Sequence, residues 1–192
     1  VYEGEWETNK KDGRGISKYS NGDTFEGYWE NGVRADGKGL YKYANGDSYD
    51  GYWVDGKKDG RGEFRFANGD KYEGYWKEGR KLDGKGIYRY ANGDVYEGYW
   101  KHDMKNGDGI YRYVDGDVYE GEFKDGYREG YGTHKFNNND VYEGEWQRER
   151  MEGHGVYIFD DGDKYDGEWL DDMMDGYGIY LFVNGDVYEG EW

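Results

Sequence analysis

The sequence predicts an all-β protein: a single-layer, elongated, twisted antiparallel sheet, solenoid-like, of about eight stacked β-hairpin repeats. Three observations predict it. A string of the form Tyr/Phe-acid-Gly-x-aromatic starts at Tyr2, Phe25, Tyr49, Tyr72, Tyr96, Tyr119, Tyr142, Tyr165 and Tyr188, at spacings of 23 or 24 residues. Every copy but the last is followed by Gly-x-Gly, from Gly13/Gly15 to Gly176/Gly178. A turn, usually Asn-Gly-Asp, then leads into the next copy, and Asn-Gly between short alternating runs is a strong hairpin signal.

Each element follows from its residues. Tyr2-Glu3-Gly4-Glu5-Trp6 alternates with period two and reads as a first strand, with Tyr2, Gly4 and Trp6 on one face and the acids on the other. A connecting loop carries a glycine three residues after the Trp at Gly32, Gly56, Gly79 and Gly126. Gly-x-Gly opens the second strand, Gly13–Tyr19 in the first unit. A two-residue Asn-Gly loop would set the glycines of that strand opposite the Tyr and Trp. A three-residue loop with a bulge would set them on the same face, where rings lie flat on backbone that has no Cβ. The three-residue loop is the better reading, because it also places Lys18, Lys42, Arg65 and Arg89 on the face of Glu26, Asp50, Glu73 and Glu97. Single-residue insertions fall between Trp29 and Gly37 and between Trp76 and Gly84, and are assigned to the edge loop.

Units of this size leave no room for a helix, and one unit cannot bury its aromatic face alone, so stability must come from neighbours. The chain reads as one array over residues 1–192, eight units of 23–24 residues and a partial ninth beginning at 188, and as a fragment of a longer protein. About 17 strands at roughly 4.8 Å would make a rod on the order of 80 Å long.

Composition narrows the function. All 36 glycines fall in five columns of the repeat, so they serve geometry rather than flexibility. With no cysteine, disulfides, thiolate chemistry and Cys-ligated zinc are out, and no run is apolar for the roughly 20 residues of a membrane helix. His102, His134 and His154 occupy different columns and do not converge on a site. Asp-Gly-Asp at 115–117 and 161–163 reads as turn chemistry before calcium binding. Gly-x-Gly opens a strand with no helix behind it, so the phosphate-loop mechanism fails. No enzyme, metal or cofactor is expected.

The repeated residues resemble the MORN (membrane occupation and recognition nexus) repeat: Tyr-x-Gly-x-Trp, a glycine-containing loop, Gly-x-Gly and a Gly-Asp turn. The departures are Phe25 for Tyr, Phe123 for Trp and Asn139 for the turn glycine, where Asn tolerates a left-handed backbone. The resemblance covers essentially the whole chain. It implies a non-catalytic β module of the kind found in junctophilins, ciliary radial-spoke heads, plant phosphatidylinositol-phosphate kinases and parasite cytoskeletal scaffolds. By that resemblance the chain would be cytoplasmic and associated with cytoskeleton or membrane.

Candidate binding residues are those the repeat does not require. Tyr28, Tyr52, Tyr75 and Tyr99 replace Glu in consecutive units, on the face opposite the Trp column, with Leu40, Ile87 and Ile110. They read as a docking stripe for a peptide or helical segment of a protein partner, or as residues packing along the sheet surface. Val156, Ile158, Ile179 and Leu181 read as an apolar patch for self-association, giving a dimer or other homo-oligomer, or as a surface covered by an adjoining domain. Residues 137–192 carry 3 bases and 16 acids, within a net charge of -17, which argues against nucleic acid. Lys10, Lys11, Lys57, Lys58, Arg80 and Lys81 are read as loop bases that could meet phosphoinositide head groups. Three functions stay open: a scaffold, a peripheral membrane module, and the targeting segment of a lipid kinase.

Overall fold

The computed structural model describes all residues from Val1 to Trp192 and contains strands and turns without helix. Two units divide the chain, Val1–Ala91 and Asn92–Trp192. The first holds β1 (Tyr2–Glu7), β2 (Lys10–Lys18), β3 (Thr24–Glu30), β4 (Val33–Lys42), β5 (Ser48–Val54), β6 (Lys57–Arg65), β7 (Lys71–Lys77), β8 (Arg80–Lys81) and β9 (Gly84–Arg89). The second holds β10 (Val95–Lys101), β11 (Met104–Arg112), β12 (Val118–Lys124), β13 (Tyr127–Lys135), β14 (Val141–Gln147), β15 (Arg150–Ile158), β16 (Lys164–Leu170), β17 (Met173–Leu181) and β18 (Val187–Glu191). All belong to one 18-stranded antiparallel sheet.

Two turn types alternate. At one edge, the Tyr19 amide bonds the Asp23 carbonyl at 2.9 Å and the Gly22 amide bonds the Tyr19 carbonyl at 3.1 Å. That is the three-residue loop, and Gly22 carries its positive φ of 93°. Asn139 fills the same position at φ 73°. At the other edge the loops have two residues, both with positive φ, such as Thr8 (48°) and Asn9 (61°). This is the primed turn, whose twist matches that of the strands. Gly32 and Gly56 occupy its second position, but so do Asn9, Asp103, Glu149 and Asp172.

Register fixes the faces. Ser17 pairs with Phe25, Gly15 with Gly27 and Gly13 with Trp29, so glycines and rings share one face. The Tyr49 ring lies on Gly51 and Gly62; a Cβ on Gly62 would fall 2.3 Å from the Tyr49 hydroxyl. The core is this aromatic layer. Tyr49, Tyr72, Tyr96, Tyr119, Tyr142 and Tyr165 have no exposed surface, and the Trp column from Trp29 to Trp169 is buried. Tyr49 meets Trp53 edge-on at 5.2 Å and Trp76 of the next repeat at 5.3 Å. The indole of Trp53 donates to the Gly39 carbonyl at 2.9 Å.

Two sequence expectations are corrected. The second strand starts at Lys10, ahead of Gly13, because pairing resumes beyond a bulge: Gly4 faces Gly15, and Trp6 faces Lys11. The insertions lie in that bulge, not in the edge loop. Trp29 faces Arg34 while Gly27 faces Gly39, so the extra residue sits between Arg34 and Gly39 in β4. In the other long unit it separates β8 from β9, which is how an expected 17 strands become 18.

Candidate interaction surface

In the first unit, the face away from the aromatic core carries a row that crosses the strands. Arg14 pairs with Tyr28, Lys38 with Tyr52, and Arg61 with Tyr75. The three tyrosines are 56%, 45% and 57% exposed. Shallow grooves lie between them, one lined by Arg14, Tyr28, Lys38 and Leu40, the next by Lys38, Tyr52, Arg61 and Glu63. The Lys38 ammonium sits 5.5 Å from the Tyr52 ring centre, and Arg14 bridges Glu26 at 3.0 Å. Ile87 pairs with Glu73 and is half-buried. Arg89 reaches Glu73 at 3.7 Å and Lys18 reaches Glu3 at 3.1 Å, the same base and acid columns paired across strands within one repeat.

The second unit uses the same columns with different chemistry. Tyr99 is 44% exposed. Ile110 lies between Glu97 and Glu120. Beyond these, tyrosine moves to the variable position of Gly-x-Gly: Tyr131 faces Glu145, and Tyr177 faces Glu191. Both are 52% exposed, and their hydroxyls donate to Glu143 and Glu189. Sequence reasoning missed this exchange of columns. Its signal is visible in the letters, since a base at one column accompanies Tyr at the other, and Tyr or His accompanies Glu except at Asp108, which faces Glu122.

Among the C-terminal apolar residues, Ile158 pairs with Lys164, which pairs with Leu181, and Val156 pairs with Asp166, which pairs with Ile179. The Lys164–Asp166 ion pair at 3.0 Å therefore divides the four residues into two pairs, which are not adjacent as the sequence reading had them. Val141 beside Ile158 and Val187 beside Leu181 extend each pair.

Of the six bases read as loop residues, all lie at strand starts. Lys10, Lys57 and Arg80 are exposed. Lys11 and Lys58 lie over the rings of Trp29 (4.3 Å) and Trp76 (4.2 Å), and Lys81 over Tyr72 (4.6 Å). They belong to a column five residues after the Trp that continues with Arg34 over Trp53, Lys105 over Phe123 and Arg128 over Trp146. Met151 and Met174 take this position at the end. Burial lowers the pKa of Lys58, with the charge of Lys81 adding to it, and burial also lowers that of Lys105. Each cation over an indole contributes about 0.5–2 kcal/mol.

The turn carboxylates join neighbouring repeats. Asp94 accepts the Tyr111 hydroxyl at 2.9 Å and the Val114 amide at 2.8 Å. Asp117 of Asp-Gly-Asp accepts the Asn137 amide and faces His134 Nε2 at 3.0 Å, and Asp163 accepts the Val183 amide and the Tyr180 hydroxyl. These acids are used as turn clamps. His134 is buried, taking the place of Tyr between Tyr113, Phe136 and Trp146. His154 lies 3.3 Å from Asp166, and His102 sits in a two-residue turn. No cluster of three His, Asp or Glu residues has metal-holding geometry.

Fold and surface together define a class: open-sheet β-repeat proteins whose core is an aromatic layer joined repeat to repeat. The MORN repeat matches at residues 2–24, 25–48, 49–71, 72–95, 96–118, 119–141, 142–164 and 165–187, and the chain belongs to that family. No curated protein matches it. Among solved structures it is similar to the TCP domain of Drosophila melanogaster SAS-4 in complex with a proline-rich motif of Ana2 (19% identity, 81% of this chain and 85% of that one, TM-score 0.50). It is also similar to the TCP10 domain of Danio rerio CPAP in complex with a STIL peptide (13% identity, 93% and 84%, TM-score 0.50). A further similarity is to the G-box domain of the microcephaly protein CPAP (13% identity, 93% and 86%, TM-score 0.51). At these identities the likeness is one of fold.

Proposed function

We propose that the chain is a non-catalytic interaction scaffold in which exposed side chains on a rigid sheet hold a segment of a partner protein. The observation that carries this reading is the row Tyr28, Tyr52 and Tyr75, large rings left 45–57% exposed on the face the core does not use. Tyrosine gives wide contact area with little rotamer entropy to lose. The centriole-protein domains of similar fold, two of them in complexes with peptides, support a peptide partner and a cytoskeletal setting in the cytoplasm. The test is an array of 15-residue peptides of mixed composition, probed with wild type and with Tyr28→Ser/Tyr52→Ser/Tyr75→Ser. Peptides that bind wild type and lose at least tenfold with the triple variant, at unchanged Tm, support the scaffold. An array that wild type leaves unbound overturns it.

Self-association is a second reading, favoured by Ile158 at 45% and Leu181 at 38% exposure with Val187 beside the latter. Sedimentation at several concentrations tests it: a concentration-dependent dimer that Ile158→Glu abolishes supports it, and a monomer throughout overturns it. The phosphoinositide alternative retains only Lys10, Lys57 and Arg80 as exposed bases of the six, since Lys11, Lys58 and Lys81 lie on core rings.

A further inference from the structure

The tyrosine row of the first unit has a period, and the period selects a ligand conformation. Tyr28, Tyr52 and Tyr75 stand on β3, β5 and β7, every second strand. Strands lie about 4.8 Å apart, so the rings recur about every 9.6 Å across the sheet. A polyproline II segment advances about 3.1 Å per residue with three residues per turn, about 9.3 Å per turn. Laid across the strands, it brings residues i, i+3 and i+6 over successive tyrosines. An α-helix, at about 5.4 Å per turn, drifts more than 1 Å per tyrosine over two turns. An extended strand repeats a face about every 6.7 Å and misses alternate rings.

Charge selects composition. Arg14, Lys38 and Arg61 alternate with the tyrosines along the same row. Arg14 is engaged by Glu26, while Lys38 and Arg61 line the grooves between rings. Along the row itself the positions between tyrosines carry cations, while Asp50, Glu63 and Glu73 line the groove to one side of it.

Resting on the scaffold reading above, we infer that this face binds an acidic, proline-rich segment in the polyproline II conformation, with proline at every third position on Tyr28, Tyr52 and Tyr75 and Asp or Glu between them toward Lys38 and Arg61. Proline suits the tyrosine face because its ring is apolar and its backbone is already ordered, so docking costs little entropy.

The test uses the whole chain and four fluorescent 12-residue peptides in an anisotropy titration. One has Pro at every third position with Glu between; the second has the same composition with that period broken; the third replaces Glu by Lys; the fourth is Glu-rich without Pro. The first peptide is expected to bind at least tenfold more tightly than each of the others. Tyr52→Ser should weaken it at least tenfold at unchanged Tm, and Lys38→Glu/Arg61→Glu should shift the preference to the Lys peptide. Equal affinity for the second or third peptide, or no loss in Tyr52→Ser, overturns the inference. If none of the four binds while mixed peptides on the array do, the scaffold stands and this ligand class falls; if neither set binds, both fall.

Discussion

Arg128 holds Glu149, a residue in the left-handed region at φ 76°, from the repeat before it. Its amide and Nε donate to the two carboxylate oxygens at 3.0 and 2.7 Å, and Nη2 donates to the Glu149 carbonyl at 2.8 Å. The Arg128 side chain is 14% exposed, and its guanidinium lies 4.2 Å from the Trp146 ring centre. A left-handed non-glycine costs about 1–2 kcal/mol, and charge-assisted bonds return about as much each. The predicted outcome is that Arg128→Met, although Met occurs in this column, costs about 2–3 kcal/mol. Adding Glu149→Gly should recover at least half, since it removes both strain and the stranded carboxylate. A double-mutant cycle by urea unfolding measures that coupling, and additive effects would contradict the linkage.

His134 should give the fold a pH dependence near neutrality. Burial lowers its pKa; the bond to Asp117 works against that, and the charge of Arg128 adds to it. The folded protein therefore takes up a proton later than the unfolded chain, whose imidazole titrates near its ordinary value. Stability from this group is complete above about pH 6.5 and is lost as pH falls below it. His134→Tyr, which restores the residue found at Tyr111 and Tyr157, should flatten the fall in Tm as pH drops below about 6.5. An unchanged slope would exclude His134 as its source.

Asp94 is the most buried of the turn carboxylates at 8% exposure. Burial pushes its pKa up, but the Val114 amide, the Asn92 side chain, the Tyr111 hydroxyl and the charge of Lys105 together hold it below the usual value. The stability it supplies is present above the ordinary Asp pKa and is lost as pH falls through its lower folded value. Asp94→Ala strands three donors and should cost about 2–4 kcal/mol, while Asp94→Asn, which still accepts hydrogen bonds, should cost roughly half. Chemical denaturation at pH 7 separates the two, and equal losses would show that charge rather than bonding dominates.

Strand order, the face shared by glycine and aromatic residues, the three-residue turn and the family were legible because each is written once per repeat. Comparison among Tyr2, Phe25 and Tyr49 separates the invariant from the variable. The column from Lys11 to Arg128 was not read, because a base beside loop glycines suggests solvent; only the register of Trp6 with Lys11 reveals that it faces the rings. The exchange between Tyr28 with Arg14 and Tyr131 with Glu145 escaped because it joins columns on different strands. The position of the inserted residue was misassigned for a related reason. A count from Trp29 to Gly37 cannot distinguish a longer loop from a wider bulge when both lie between the same landmarks.

That misassignment yields a test of what fixes the repeat length. The loops Asn31–Gly32 and Asp55–Gly56 are alike in length and in positive φ, although only the first belongs to a long unit. Each is tied to the repeat before it. The Gly32 amide bonds the Lys11 carbonyl, and the Asp55 amide bonds the Asp36 carboxylate of the preceding repeat at 2.9 Å. The bulge has no comparable ladder to preserve, because pairing is already interrupted between Gly27 and Trp29. Deleting Ala35 restores the spacing of the first unit and should change stability by less than about 1 kcal/mol. Inserting one glycine between Asp55 and Gly56 breaks the primed turn and its bond to Asp36, and should cost about 2 kcal/mol or more. Thermal unfolding of the two variants side by side decides it: if the deletion is the more damaging, the extra residue in β4 is structural and the bulge is not the place where this repeat accepts length.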